Sequence, residues 1–140
     1  MAVLDRTTAG AEADVRPVLS GQDILAMRAL AREVPVASHV KAYAVRLVLA
    51  TQPDGAEAPA EVKRYVRYGS SPRGAQALVM AAKVLALIKG RYNASFGDLR
   101  DMAGPALRHR LILNFEGEAE GIKSDRIIAK LLEAVPETKA

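Results

Sequence analysis

The sequence predicts an all-α fold, a compact helical bundle in which at most one or two very short segments are extended. Half of the 140 residues are hydrophobic, but only 4% are aromatic. The core must therefore be built from Ala, Val, Leu and Ile, and the abundance of Ala and Leu favours helices over a β-sandwich. Apolar residues also recur at helical spacing along most of the chain. The length suits one domain, which we place at 20–140, with 1–19 as a truncated linker from something upstream.

The first helical signals lie near the N-terminus. Residues 3–8 read as a short helix, followed by an irregular lead-in. Ser20 then opens a helix, because Asp23 three residues later completes a capping-box pattern. Pro35 ends this helix, since the residue before a proline avoids the helical region. Its apolar stripe consists of Ile24, Met27, Leu30, Ala31 and Val34.

The second helix has the clearest amphipathic pattern. Its apolar residues are Val36, Val40, Tyr43, Ala44, Leu47 and Val48. Residues 53–55, with the sequence PDG, form a turn. Residues 62–68 fit either a short helix or an extended segment, and the sequence does not decide between them.

The longest helix begins at Ser71 and Pro72, which we interpret as a capping serine followed by proline at the first helical position. It runs to Lys89 and stops at Gly90. Because it is apolar on nearly all sides, we expect it to be the central and most buried helix.

The last third of the chain contains two more helices. Ser95 and Asp98 form another capping box, and the helix they open is expected to be interrupted at 104–105, a Gly-Pro pair. Residues 111–115 fit an extended segment, but the sequence does not decide their state. The glutamates at 116, 118 and 120 are expected to lie in a solvated connector. Ser124 is expected to cap the final helix. The apolar face of that helix consists of Ile127, Ile128, Leu131, Leu132 and Val135.

Several kinds of chemistry are excluded. The chain has no cysteine, and no glycine is followed by the lysine that a phosphate-binding P-loop requires. No Asp-Glu pair follows an apolar strand to hold magnesium and orient water. His39 and His109 are far apart in sequence and have no histidine partner at helical spacing, so we predict no metal site. We therefore expect no catalytic residue in this chain and no ATP turnover by the chain alone.

The N-terminus lacks the pattern of a signal peptide, and no apolar run approaches the roughly 18 residues of a membrane span. We expect a cytoplasmic protein without membrane contact. The formal net charge is +4, and the basic residues are interspersed with acidic ones, which is typical of a solvated surface.

Arg73 is the candidate binding residue. It occupies the second position of the longest helix, where backbone N–H groups lack helical partners and the helix dipole is positive. A phosphate or another anion would be held there by the N–H groups and the guanidinium together. An exposed arginine without a ligand is the alternative interpretation.

Residues 68–78 (YGSSPRGAQAL) resemble the sensor-2 segment of MoxR-type AAA+ ATPases. Further similar segments follow in the order expected of that family. They are 32–36 (REVPV), 43–47 (YAVRL), 107–111 (LRHRL) and 114–116 (NFE). The resemblance extends from about Leu4 to Val135. Gly97 and Gly104 depart from the family pattern, where residues that favour helices, or a proline, are usual.

The resemblance implies that the chain is the C-terminal helical lid of such an ATPase. An upstream AAA+ core would bind ATP and magnesium, for which the isolated chain is expected to have no site. In the longer protein Arg73 would be the sensor-2 arginine that reaches the terminal phosphate. The roles of Arg108, His109 and Arg110 remain unassigned, with a surface or ion-pair role as the default.

The resemblance also implies partners. Neighbouring subunits of a homo-oligomeric ring are expected for the longer protein, whereas the isolated chain is expected to be monomeric. Members of the family are chaperone-like remodelling ATPases, often with von Willebrand factor A-type partners, and the sequence does not identify the client.

Two alternatives stay open. One is a small basic helical domain that binds nucleic acid, and the other is a protein-interaction module with no nucleotide role. The first depends on a cluster of cations on one surface. Its members would be Lys63, Arg64, Arg67, Arg73 and Arg91.

Overall fold

Eight α-helices and one small two-stranded sheet make up the described part of the chain, which is residues 1–8 and 16–138 of a computed structural model. The helices are α1 (Ala2–Thr8), α2 (Gly21–Glu33), α3 (Ser38–Leu49), α4 (Ala60–Tyr65), α5 (Pro72–Ile88), α6 (Phe96–Leu107), α7 (Phe115–Ala119) and α8 (Ser124–Ala134). The strands are β1 (Val66–Tyr68) and β2 (Ile112–Leu113). The predicted all-α class with very short extended segments is confirmed. Most of the irregular lead-in falls on 9–15, outside the described residues.

Local capping fixes the start of two helices, as the sequence predicts. The Ser20 hydroxyl accepts a hydrogen bond from the Asp23 N–H at 3.1 Å, and Asp23 Oδ2 accepts one from the Ser20 N–H at 2.8 Å. Ser95 and Asp98 form the same reciprocal pair at the start of α6. These bonds satisfy N–H groups that have no partner within the helix. Gly90 adopts φ +68° just after α5, which is the backbone conformation expected of a glycine stop.

Two boundary predictions are wrong. The side chain of Ser124 makes no capping hydrogen bond, because Ser124 is the first residue of α8 and Lys123 occupies the cap position. The pair at 104–105 does not interrupt α6, which continues to Leu107 and passes into a 3-10 turn at Arg108–Arg110. Pro105 removes one backbone donor near the end of the helix. Burial of Ala103, Ala106 and Leu107 keeps this last turn in place.

The core is formed by α5, which packs on α3 and α6, and by α8, which packs on the other side of the domain against α6. Tyr43 of α3 is fully buried, and its ring meets the edge of Phe96 with centroids 5.4 Å apart. The Tyr43 hydroxyl accepts a hydrogen bond from Arg100 of α6 at 3.2 Å. A buried tyrosine hydroxyl needs such a partner, and this bond ties α3 to α6.

Residues 62–68 contain both of the structures that the sequence left open. The segment is helical to Tyr65 and extended from Val66, where β1 pairs with β2 in antiparallel register. The ladder joins Tyr68 to Ile112, and the Asn114 N–H donates to the Tyr65 carbonyl at 2.8 Å. In the segment 111–115, whose state the sequence left undecided, Ile112–Leu113 form a strand and α7 begins at Phe115.

Helix α5 is central, but one of its faces is open, so the expectation that it is the most buried helix is wrong. Val84 and Ile88 are 41% and 77% exposed. In the apolar stripe predicted for the first long helix (α2), Ala31 and Val34 are buried, whereas Met27 and Leu30 are about half exposed. Together these two helices line an apolar groove of roughly 600 Å³, which we call the α2–α5 groove. Amphipathic patterning identifies an apolar face, but it does not say whether this domain covers that face itself.

Candidate functional site

The candidate site is the segment that leads into α5. Ser71 has an extended backbone at the cap position, and its side chain makes no capping hydrogen bond, so the prediction of a capping hydroxyl is wrong. Instead the Ser71 carbonyl accepts a hydrogen bond from the Gly74 N–H at 2.7 Å. Pro72 supplies a backbone already suited to the first turn. The first turn of α5 therefore begins without a side-chain acceptor over its N–H groups.

Two residues at the end of α3 hold this segment in place. The buried Thr51 hydroxyl accepts a hydrogen bond from the Ser70 N–H at 2.8 Å and donates one to the Val48 carbonyl at 2.6 Å. The side-chain amide of Gln52 donates to the Ser70 carbonyl at 2.8 Å. Both backbone groups of Ser70 are thus bound by side chains from another element.

Glycines allow the segment to approach its neighbours closely. A β-carbon on Gly69 would overlap the Thr51 carbonyl, and one on Gly74 would overlap the Ser70 hydroxyl. Gly74 is buried, and a β-carbon there would also lie 3.3 Å from a methyl group of Leu107 in α6. The start of α5 is therefore fixed between the end of α3 and the end of α6.

Arg73 is exposed at this fixed position, and within residues 1–8 and 16–138 it has no hydrogen bond or ion pair. Arg64, Arg91 and Arg108 each have a carboxylate partner in the domain. A cation in the first turn of a helix is disfavoured by about 0.3–1 kcal/mol unless a negative group lies nearby. The free guanidinium can bind an anion such as a phosphate.

The three unassigned residues of the 3-10 turn follow Leu107, next to the start of α5. Arg108 is exposed and forms an ion pair with Asp125 at 3.0 Å, which agrees with the default prediction. The Arg110 Nε–H donates to the Ala106 carbonyl at 3.0 Å. His109 is exposed. The structure thus gives Arg108 and Arg110 contacts within the domain.

The most perturbed carboxyl group belongs to Asp98, which is 1% exposed. Both terminal nitrogens of Arg91 donate to it, and the Ser95 N–H and hydroxyl donate at 2.8 and 2.7 Å. The hydrogen bonds from Arg91, and then those from Ser95, lower the pKa of Asp98 to about 2, although burial opposes the change. Asp98 is therefore charged at neutral pH and stabilises the start of α6. The sequence indicated the cap but not the ion pair.

Ion pairs reduce the number of unpaired cations on the basic surface that would favour nucleic-acid binding. Arg64 donates to Glu116 at 2.6 Å and to Glu120 at 2.9 Å, and its hydrogen bond to Glu116 raises the pKa of Arg64. Arg91 is paired with Asp98. Two of the five cations proposed for that surface thus already have carboxylate partners. The glutamates at 116, 118 and 120 are exposed, as predicted, and the connector that holds them is partly the short helix α7.

Two other features are absent from the part of the chain that the structure describes. No group of three or more histidine or acidic side chains is arranged to hold a metal ion in this part of the chain. No helix there is long and apolar enough to cross a membrane. His39 lies exposed in the first turn of α3, with its ring 5.4 Å from that of Phe96, as expected of a surface residue.

Comparisons with known proteins agree with this geometry. The family model described as "AAA lid domain" matches residues 58–131. Chaperone MoxR1 of Mycobacterium tuberculosis is 32% identical over 120 residues, which cover 86% of this chain and 32% of that protein. Protein MoxR of Paracoccus denitrificans is 40% identical over 55 residues, covering 39% of this chain and 16% of that protein.

A solved structure is similar along almost the whole chain. A crystal structure described as a putative ATPase from Cytophaga hutchinsonii superposes with a TM-score of 0.81 at 32% identity, and the match covers 99% of this chain and 42% of that one. The chain thus spans about a third of the length of MoxR1. With more than half of its residues matched by the family model, the chain belongs to the AAA lid domain family, as the C-terminal lid of a MoxR-type AAA+ ATPase.

Proposed function

We propose that this chain closes over ATP bound by the core domain of a longer AAA+ ATPase, and that Arg73 is its sensor-2 arginine. The observation that carries the proposal is the state of Arg73. It is exposed at a helix start held by Thr51 and Gln52, and it has no partner among the described residues. An arginine that is fixed at its backbone and free at its guanidinium is suited to an anion supplied by another domain.

ATP and magnesium belong to the core in this proposal, because this chain has no P-loop lysine and no acidic pair for the metal. The lid contributes one charge-assisted contact to the terminal phosphate, made when it closes. Such a contact accelerates hydrolysis if it is stronger in the transition state than in the ground state. The planar guanidinium can donate two parallel hydrogen bonds to phosphate oxygens, which an ammonium group cannot.

The α2–α5 groove supports the assignment of partners. Ile88 is 77% exposed, and Ile24, Met27 and Leu30 are about half exposed beside it. Contiguous apolar surface of this kind marks a contact with another protein surface. In our proposal the AAA+ core and neighbouring ring subunits cover it.

Wider roles rest on the family alone. Because one relative is named a chaperone, we place the longer protein among chaperone-like remodelling ATPases of the cytoplasm. Von Willebrand factor A-type proteins are its proposed partners. A protein-interaction module without a nucleotide role is the second candidate, and the exposed groove is the observation in its favour.

Substitution of Arg73 in the full-length ATPase separates the two candidates. Arg73→Ala should leave the melting temperature nearly unchanged, since exposed side chains without partners contribute little stability. It should slow steady-state hydrolysis by at least about tenfold, because arginines supplied to phosphoryl transfer are worth up to roughly 10³–10⁵ in rate. Arg73→Lys should recover only part of the loss.

Arg126 provides a matched control, since it is also an exposed arginine in the first turn of a helix. Arg126→Ala should change neither stability nor rate. Hydrolysis at the wild-type rate by folded Arg73→Ala would refute the sensor-2 assignment and favour the interaction module.

A further inference from the structure

We propose that Thr51 and Gln52 are positioning residues for Arg73, so that the end of α3 sets the rate of ATP hydrolysis without touching the nucleotide. The inference rests on the proposed function, because it requires Arg73 to act on a phosphate. It adds two residues that the sequence pattern did not single out.

The hydroxyl of Thr51 acts both as a donor and as an acceptor in this role. It donates to the Val48 carbonyl at 2.6 Å and accepts from the Ser70 N–H at 2.8 Å. Thr51 is 0% exposed and Ser70 is 1% exposed, so water cannot replace either bond. Serine could make both bonds, whereas valine has the same shape as threonine and could make neither. A Thr51→Val variant would therefore leave the buried Ser70 N–H without its acceptor.

Gln52 binds the other backbone group of Ser70, its carbonyl. Its side-chain N–H donates to the Ser70 carbonyl at 2.8 Å. Consecutive residues at the end of α3 thus bind the donor and the acceptor of one residue, which fixes the direction of the backbone as well as its location.

The path from Ser70 to Arg73 is short and stiff. Pro72 restricts the backbone between them. On the far side, Gly74 packs so closely on the Ser70 hydroxyl that it has no room for a β-carbon, and its N–H is bound to the Ser71 carbonyl at 2.7 Å. Arg73 lies between Ser70 and Gly74, so a shift of Ser70 must also move the Cα atom from which the Arg73 side chain extends.

Catalysis is more sensitive to such a shift than folding is. Misplacement by 1 Å through a distant substitution can lower a rate by about 100-fold. The apolar contacts of α3 that bury Val48 and Leu47 do not depend on the Thr51 hydroxyl. The hydroxyl instead fixes the position of the segment that precedes Arg73.

A double-mutant cycle in the full-length ATPase tests the inference. The variants are Thr51→Val, Thr51→Ser, Arg73→Ala and the double variant Thr51→Val/Arg73→Ala, each with kcat, KM and melting temperature measured. Thr51→Val should lower kcat by about 10- to 100-fold, with a much smaller effect on KM. Thr51→Ser should restore most of the rate. The double variant should be no slower than Arg73→Ala, because a positioning residue has nothing left to position.

The outcomes distinguish a failure of the positioning role from a failure of the sensor-2 assignment. If Arg73→Ala is slow and Thr51→Val is as fast as wild type, the positioning role is refuted and the sensor-2 assignment stands. The positioning role is also refuted if Thr51→Val slows the Arg73→Ala enzyme by its full factor. A wild-type rate for Arg73→Ala would instead overturn the proposed function itself.

Two further variants guard against an effect of stability alone. Ile127→Val removes a methylene from a fully buried residue of α8 and should lower the melting temperature without changing kcat. Gln52 is only partly buried, so Gln52→Leu should fold even if Thr51→Val does not. It should then reproduce the loss of kcat and the lack of additivity with Arg73→Ala. Normal hydrolysis by folded Gln52→Leu would contradict the role of Gln52.

Discussion

Low pH should destabilise this domain more by protonating Asp98 than by protonating any exposed carboxyl group. Asp98 is 1% exposed and accepts hydrogen bonds from Arg91, from the Ser95 N–H and from the Ser95 hydroxyl. Lys89 also lies 3.9 Å away. The hydrogen bonds from Arg91, and then those from Ser95, favour the charged form of Asp98 and lower its pKa from 3.8 to about 2, although burial opposes the change. Protonation of Asp98 would make its carboxyl group a poor acceptor for the several hydrogen bonds that it receives at the start of α6.

The size and direction of the effect follow from these two pKa values. Each pKa unit corresponds to about 1.4 kcal/mol, so the charged form of Asp98 contributes roughly 2 kcal/mol to the free energy of unfolding. Because the pKa is lower in the folded state, this contribution is complete above pH 4. It is lost as the pH falls from about 4 to about 2.

Urea denaturation from pH 7 to pH 2 measures this contribution by comparing wild type with Asp98→Asn. The variant should be less stable at pH 7 by about 2 kcal/mol and should approach wild type near pH 2. Other carboxyl groups titrate in both proteins and cancel in the difference. Asp101→Asn is the matched control, since Asp101 is 56% exposed at its side chain and binds Lys89 on the surface. Its difference from wild type should stay within about 1 kcal/mol at every pH.

The prediction fails in either of two ways. A difference between wild type and Asp98→Asn that is constant from pH 7 to pH 2 would mean that Asp98 does not titrate as described. A difference as small as that of Asp101→Asn would mean that the pair with Arg91 contributes no more than a surface ion pair.

Glycine substitutions give three further predictions, two of lower stability and one of higher stability. Gly74→Ala should lower the free energy of unfolding by about 1–3 kcal/mol, because the new methyl group would overlap the Ser70 hydroxyl; an unchanged urea midpoint would contradict this close approach. Gly90→Ala should cost about 1–2 kcal/mol although its surroundings are open, since its φ of +68° is unfavourable for alanine. Gly97→Ala, at an exposed helical position with only an ordinary contact to Ser95, should raise the melting temperature through a gain of about 0.4–1 kcal/mol. Equal effects of the last two would refute the backbone argument.

The sequence by itself determined the features that depend on residues close together in the chain. The bonds that start α2 and α6 join residues three positions apart, so Ser20 with Asp23 and Ser95 with Asp98 could be recognised directly. The position of Arg73 after a Ser-Pro pair could be recognised from the sequence in the same way. Ordered segments of this kind also carried the resemblance to the MoxR lid, which the family match supports.

Tertiary structure decided the features that join distant parts of the chain. The Ser70 N–H meets the Thr51 hydroxyl across 19 residues, and Arg64 meets Glu116 across 52. No local pattern announces such pairs, because a threonine at a helix end and an arginine on a helix face usually contact only solvent. The same limit explains why the apolar sides of α5 predicted burial where Ile88 is exposed. Hydrophobic spacing shows which face of a helix avoids water, and only the packed domain shows whether this chain or another surface covers it.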